Sequence, residues 1–344
     1  MSSKTLSVLL VTPAWRGSLG FFCRRALEQM GHRVSVFDYR RQALGEGYAS
    51  RGPAGLVRIM HSKVGVALMN RRLRQAVARL GPDLVLVIKG ELIQPSTVEA
   101  LSQGSGAAVT LWYPDVSLYL TKRSYRRIAQ SMAHYHATFL CDPANLPKTL
   151  GPAIRRKEFL TFACDPDFHH QVPLTGEERA RYRSRICFVG NSHGRGSPRD
   201  STLAALSNYP LAVWGNGWER VPWPQEGAPI LRGPAHAEHM LKVYSSSEIA
   251  LNLSFAPYLN FRNFEVPACG PLLVTEDVPE LARFFRPGEE VVAFQDVSDL
   301  RQKLDYYLVH PDQAQAIARR GRRRAHAEHT FVHRITELLN GVFS

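Results

Sequence analysis

Arg262 and Glu265 stand three residues apart in the stretch NFRNFEVPACGPLLVTED, which runs from Asn260 to Asp277. On a helix that spacing places a guanidinium and a carboxylate on one face. A small-residue turn, Ala268-Cys269-Gly270, follows, and then an apolar strand pattern from Pro271 to Thr275. A short helix entering a buried strand would hold both groups at the mouth of an α/β sheet. Arginine pairs with phosphate oxygens, and a carboxylate accepts hydrogen bonds from the two hydroxyls of a ribose. The pair therefore suits a nucleotide. The plainer reading of Glu265 is a carboxylate stabilised by the helix dipole, but a charge beside so apolar a turn is costly to bury without a purpose. Phe261 and Asn263 share the helix start, whose free N–H groups would face a bound anion.

Other residues of the right type sit where strands end. The loop Asn191 to Arg199, NSHGRGSPR, follows the strand pattern Ile186 to Gly190. Its glycines permit close backbone approach, while Arg195 and Arg199 add charge suited to a diphosphate, with His193 as a hydrogen-bond donor to the reacting group. Gly215-Asn216-Gly217-Trp218 leaves the next strand, Leu211 to Trp214. There Trp218 would lie near a base or simply pack. Leu231 to Pro234 offers main-chain groups to a base edge. In the first half, Ala14 to Gly20 joins strand to helix, and Gly17 and Ser18 in it are candidates for contact with a ligand or for a plain tight turn. Asp115 closes the strand Ala108 to Tyr113 in the setting Trp112-Tyr113-Pro114-Asp115. An apolar, aromatic surround would raise its basicity and make it a general base; the alternative is an N-cap.

The elements that must position these groups alternate. Strand patterns at 7–12, 33–39, 83–89, 108–113 and 137–141 are separated by helical ones at 17–30, 56–80, 95–102 and 120–133, with a Gly-rich loop over 42–52. Continuous apolar strands between helices imply a parallel sheet buried on both faces. The stretch Phe162 to Pro173, FACDPDFHHQVP, breaks the rhythm and reads as a hinge. A second series then follows, with a helical tail from Pro311 to Phe343. The expected fold is α/β: two doubly wound Rossmann-like domains facing across a cleft, with a long C-terminal helical tail. The boundaries are 1–165 for the first domain, 174–328 for the second, and 329–344 for a helix packing back on the first. In such sheets ligands sit at the carboxyl ends of the strands.

These residues resemble the donor-binding signature of GT-B glycosyltransferases, in particular the CgeB-like (spore-maturation-type) branch with a group-1 C-terminal lobe. The resemblance runs from about Ile186 to Ile335. It implies that Glu265 holds the ribose of a sugar nucleotide and that the chain is a glycosyltransferase. Group-1 enzymes usually carry another Glu eight residues earlier, where this chain has Pro257. The Arg-x-x-Glu spacing is typical of the CgeB-like branch. Gly215-Asn216-Gly217-Trp218 is similar to that family's strand exit, and the first-domain loop meets donor or acceptor in such enzymes. Asp165-Pro166-Asp167 is similar to the family's linker segment rather than to a D-x-D metal site, and adjacent His169-His170 make a poor metal pair. His329 is taken as a structural joint. The resemblance implies that 1–165 is an acceptor-binding domain and 174–328 a nucleotide-sugar-binding domain, with a UDP-sugar or other nucleotide sugar as donor and no metal.

Composition sets the remaining bounds. The chain has 344 residues, 44% hydrophobic and 21% charged, which fits two globular domains. No apolar run reaches the ~18–20 residues of a membrane helix. Five dispersed cysteines without a CxxC pair argue for reduced thiols and a cytoplasmic setting, which leaves room for a place at the inner membrane face. The net charge of +13 admits an anionic polymer or membrane surface as partner, or merely a solvated basic surface. The clusters Arg71–Arg74 and Arg123–Arg127 motivate a DNA acceptor; glycan, protein and lipid acceptors stay open. A catalytically inactive sugar-nucleotide-binding protein is the alternative of another class. A Rossmann dehydrogenase fits less well, because PAWRGSLG after the first strand lacks G-x-G-x-x-G.

Overall fold

The computed structural model describes residues 4–45, 63–148, 150, 153–194, 196–224, 227–254 and 258–343. Most of the loop expected over 42–52, the first part of the helix expected over 56–80, Arg195 and Pro257 lie outside the described residues. The chain divides into two compact units, 1–161 with 331–344, and 162–330.

In chain order the first unit holds β1 (Ser7–Val11), α1 (Leu19–Gln29), β2 (Arg33–Phe37), α2 (Tyr39–Leu44), α3 (Lys63–Leu80) and β3 (Leu84–Ile88). It continues with α4 (Pro95–Gly104), β4 (Ala108–Tyr113), α5 (Arg126–Ser131), β5 (Ala137–Leu140) and β6 (Lys157–Phe159). The strands form one parallel sheet in the order β2-β1-β3-β4-β5-β6. All five residues of β3, LVLVI, are buried, as a parallel strand covered on both faces requires.

The region expected as one helix over 120–133 is instead broken into short helical segments, α5 among them, with Lys122 in an extended conformation. Continuous helix would stack Lys122 on Arg126 and Arg123 on Arg127, four residues apart, and no acidic residue occurs between 116 and 141 to relieve them. Like charges at that spacing destabilise a helix.

The second unit holds α6 (Gly176–Tyr182), β7 (Ser184–Val189), α7 (Pro198–Ala205), β8 (Leu211–Trp214), β9 (Ile230–Arg232), α8 (Glu238–Ser245) and β10 (Ser247–Asn252). It ends with α9 (Arg262–Cys269), β11 (Leu272–Glu276), β12 (Val292–Phe294), α10 (Val297–Val309) and α11 (Pro311–Glu328). Its parallel sheet has the order β12-β11-β10-β7-β8-β9. From β7 the chain steps outward to β8 and β9, then crosses back to β10 on the other side. The strand order therefore reverses between β7 and β10, and the loops leaving those two strands diverge there, which is where such sheets open a ligand crevice.

The helical tail breaks at His329 and Thr330. His329 caps α11, gives its ring Nε2 to the Phe284 carbonyl at 2.6 Å, and packs among Phe264, Phe284 and Phe285. The last helix, α12 (Phe331–Phe343), belongs to the first unit. Phe331 stacks on Phe22 of α1, 5.2 Å between ring centres.

Candidate functional site

In the second unit the residues singled out in the sequence gather at the carboxyl ends of β7, β10 and β11. Helix α9 starts there and is fastened by a buried amide network. Asn260 Nδ2 donates to Asn252 Oδ1 (3.1 Å) and Ser254 Oγ (2.6 Å). Asn252 Nδ2 donates to Asn263 Oδ1 (3.1 Å), and Asn263 Nδ2 to Thr275 Oγ1 (3.1 Å). Asn263, expected to touch a donor, is thus a buried tie between α9, β10 and β11 whose amide is spent on protein partners.

The free N–H groups expected at the helix start are also corrected. Arg262 N–H donates to Asn260 Oδ1 at 2.9 Å, that of Asn263 to the Asn260 carbonyl, and those of Phe264 and Glu265 to the Phe261 carbonyl. Phe261 itself is half-buried, its ring 5.5 Å from Phe162 and 5.8 Å from His169.

Arg262 is half-buried and its Nε donates to the Val189 carbonyl at the end of β7. One bond to the backbone fixes the guanidinium at the reversal point. Glu265 lies deeper, its side chain 8% exposed, with Oε1 3.4 Å from His169 Nε2. His169 Nδ1 accepts the Asp165 N–H at 2.9 Å. A ring nitrogen that accepts carries no proton, so the neutral ring holds its proton on Nε2, facing Glu265. That pairing is invisible in sequence because the partners lie almost a hundred residues apart. Asp165 Oδ1 accepts the Asp167 N–H at 3.0 Å, a turn of the Asp-Pro-Asp segment on itself. Among the described residues no group of three or more His, Cys, Asp and Glu is arranged to hold a metal ion.

The loop after β7 is organised by Arg199 and Asp200. Arg199 is buried; Nε and Nη2 donate to the Leu253 carbonyl (2.9 and 2.6 Å) and Nη1 to the Asn191 carbonyl (3.2 Å). It pins the exit of β7 to that of β10, and burial with the neighbouring Arg262 pushes its pKa down to about 10. Nη1 also lies 2.7 Å from His193 Nε2. A guanidinium only donates, so His193 Nε2 accepts, and its proton sits on Nδ1. Burial and Arg199 lower the His193 pKa. His193 is therefore a neutral donor through Nδ1, and its Nε2 is engaged. Asp200 accepts from Ser192 Oγ (2.5 Å) and the His193 N–H (3.2 Å).

Gly215 has φ +146°, and a Cβ there would lie 2.0 Å from the Gly190 carbonyl oxygen. Only glycine allows β8 to leave so close to β7. Asn216 is exposed, and its N–H donates to Asn191 Oδ1 at 2.9 Å. Of the two readings of Trp218 the packed one holds: it is 1% exposed, donates Nε1–H to the Gly190 carbonyl at 2.7 Å, and packs edge-on against Phe188. It is core, out of reach of a base. Leu231 and Arg232, expected in a loop, belong to edge strand β9.

Glu276 was missed. It ends β11, its Oε2 accepts the Ser254 N–H at 2.6 Å, and burial raises its pKa against the pull of Ser254 and Arg199. Its signal was a carboxylate at the carboxyl end of an apolar strand, Leu272–Glu276.

In the first unit the order also reverses, between β1 and β3. Ser18 caps α1, its Oγ accepting the Phe21 N–H at 3.1 Å and lying 3.3 Å from the Pro13 carbonyl; Gly17 precedes it at φ +85°. These are turn and cap roles at the edge where ligands bind. Asp115 does not meet the apolar surround expected of it, nor does it cap a helix. Lys89 Nζ lies 2.7 Å from its Oδ2. Lys89 follows β3 in the left-handed region, φ +64°, a conformation that costs a side-chain-bearing residue about 1–2 kcal/mol. The ammonium also lies 5.6 Å from the Tyr125 ring centre. Next to it, Glu91 receives Arg40 Nε at 2.7 Å, together with contacts from Arg40 Nη2 and the Tyr39 hydroxyl. Burial alone would raise the Glu91 pKa, but Arg40 and Lys89 overcome it and hold the carboxyl below its ordinary value.

Residues 199–340 match the model of a family described as glycosyl transferase-like. No curated protein matches the chain significantly. Among solved structures, a sucrose-phosphate synthase from Thermosynechococcus elongatus superposes with a TM-score of 0.72 at 16% identity, covering 98% of each chain. Anabaena HepE, in complex with UDP-glucose, gives 0.65 at 11% identity over 97% of this chain and 99% of that one. An α-glucosyltransferase in complex with UDP and a 13-mer DNA gives 0.60 at 12% identity, over 99% of this chain and 100% of that one. The fold is that of the GT-B glycosyltransferases.

Proposed function

We propose that the chain is a glycosyltransferase, of the CgeB-like branch by its Arg262-x-x-Glu265 spacing, that uses a nucleoside-diphosphate sugar of the UDP class. The observation that carries this reading is Arg262 tied to the end of β7 beside the β7/β10 reversal, within a region that matches a glycosyl transferase-like family. Glu265 takes the ribose hydroxyls, and Arg262 takes the diphosphate with Arg199 adding charge. His193 Nδ1–H is a further donor to the diphosphate, and Glu276 is a second carboxylate for hydroxyl groups. In the transfer, the bond from the sugar's anomeric carbon to the diphosphate oxygen breaks and a bond to an acceptor oxygen forms. The acceptor's hydroxyl proton leaves to a carboxylate, for which we assign Asp115. Fixed cations stabilise the leaving diphosphate without reorganising, so the reaction is proposed not to need a divalent ion.

The test is thermal denaturation with UDP and with AMP, together with release of UDP from a labelled UDP-sugar in chelator. UDP is expected to raise the midpoint while AMP leaves it unmoved, and turnover is expected to persist. Stabilisation by AMP alone sinks the reading; UDP binding without turnover favours an inactive sugar-nucleotide-binding protein. DNA as acceptor is a second reading, favoured by the basic cluster Arg123–Arg127 and the likeness to an enzyme solved with DNA.

A further inference from the structure

The first unit contains a cavity of about 630 Å³ lined by Arg40, Lys89, Glu91, Arg123, Arg126 and Arg127, with Tyr125 and Leu92 on its wall. It lies where Lys89 and Glu91 follow β3 and Arg40 follows β2, the carboxyl edge of the sheet, where doubly wound folds take ligands. The volume is that of a small-molecule pocket rather than a duplex groove.

Its charges do not cancel. Arg40 is committed to Glu91 and Lys89 to Asp115. Among the described residues no carboxylate lies in ion-pair range of Arg123, Arg126 or Arg127, although Arg127 Nη1 lies 3.5 Å from the Glu91 carbonyl. Three guanidinium groups on a short 3-10 turn and the start of α5 thus line a concave space in which, among the described residues, the one lining carboxylate is already neutralised. That arrangement has a cost in the empty protein: like charges repel, the helix over 120–133 is broken, and Lys89 is held in a left-handed conformation. A dianion would relieve the repulsion, and guanidinium groups match phosphate oxygens bidentately.

We propose that this cavity binds a small phosphate monoester. Phosphate oxygens meet Arg123, Arg126 and Arg127, and the neutral remainder of the ligand lies against Tyr125 and Leu92. Only in calling this ligand the acceptor of sugar transfer does the inference rest on the function proposed above.

Calorimetric titration of the full chain with glucose 6-phosphate, glucose and inorganic phosphate tests it. Glucose 6-phosphate is expected to bind, inorganic phosphate more weakly, and glucose not measurably. The double substitution Arg123→Ser with Arg126→Ser removes two exposed side chains, so the melting temperature is expected to hold while affinity for the phosphate ester falls roughly tenfold or more. Binding that ignores the phosphate, or that survives the double substitution unchanged, overturns the proposal. So does tight, salt-sensitive retention of duplex DNA that glucose 6-phosphate does not compete, which would assign the arginines to a polyanion. UDP binding in the same protein reports separately on the second unit, so failure here and failure of the donor reading are distinguishable.

Discussion

At the scale of single residues, Glu265 carries the sharpest test. Its carboxylate is largely buried and faces the proton-bearing nitrogen of His169. A glutamine keeps an oxygen for that contact and nearly the same volume, but loses the charge that strengthens hydrogen bonds from ribose hydroxyls. Charge-assisted bonds exceed neutral ones by about 1 kcal/mol. Glu265→Gln is therefore expected to weaken UDP binding several-fold to roughly tenfold in a calorimetric titration, with the melting temperature nearly unchanged. A variant that melts early yet binds UDP as before would make Glu265 a structural partner of His169. Asn263 and Trp218 show why such tests are needed. Both residue types bind nucleotides well on paper, and both are consumed here by the protein's own hydrogen bonds.

At the scale of elements, the exits of β7 and β8 are the tightest joint in the second unit. A methyl at residue 215 would sit 2.0 Å from a backbone oxygen, in a backbone region that L side chains rarely adopt. Gly215→Ala is expected to cost at least about 2 kcal/mol through strain and forced separation of the two loops. Urea unfolding should show an earlier transition; an unshifted curve would mean the loops part freely. Periodicity made most elements legible: Ala108–Tyr113 and Leu211–Trp214 occur with the bounds their patterns suggest. Three-residue edge strands such as Lys157–Phe159 and Ile230–Arg232 carry too few alternations to be read. Glu265 and Arg262 were legible because strand, turn and helix signals converge on them. The neutral state of His193 and the partners of Asp115 were not, since the fold of the loop that turns Arg199 onto His193 and the distant Lys89 decide them.

At the scale of the whole molecule, the described ionisable groups with lowered pKa values set a response to acid. His193, His32 and His326 are all lowered from 6.5, each first of all by burial. For a histidine held neutral by the fold, the unfolded chain takes up protons first. The stability these residues allow is complete above pH 6.5 and is lost as pH falls from there toward their lower folded values. Below that window a second loss follows. Asp83 and Asp299 are lowered from 3.8, chiefly by backbone and side-chain hydrogen bonds respectively, and Glu91 is lowered from 4.5 by Arg40 and Lys89 against burial. Depressed carboxylates stabilise above their unfolded values, and the contribution disappears as pH drops through the folded ones. The net charge of +13 becomes more positive in the same direction and adds self-repulsion. Melting temperature is therefore expected to fall in two stages on acidification, the first beginning near pH 6.5, the second near 4. His193→Gln should flatten part of the first stage, because its accepting nitrogen and the repulsion with Arg199 on protonation are both removed. A melting temperature that is flat between pH 7 and 5 would contradict the neutral, Arg199-bound state of His193, and with it the charge arrangement offered to a diphosphate at the end of β7.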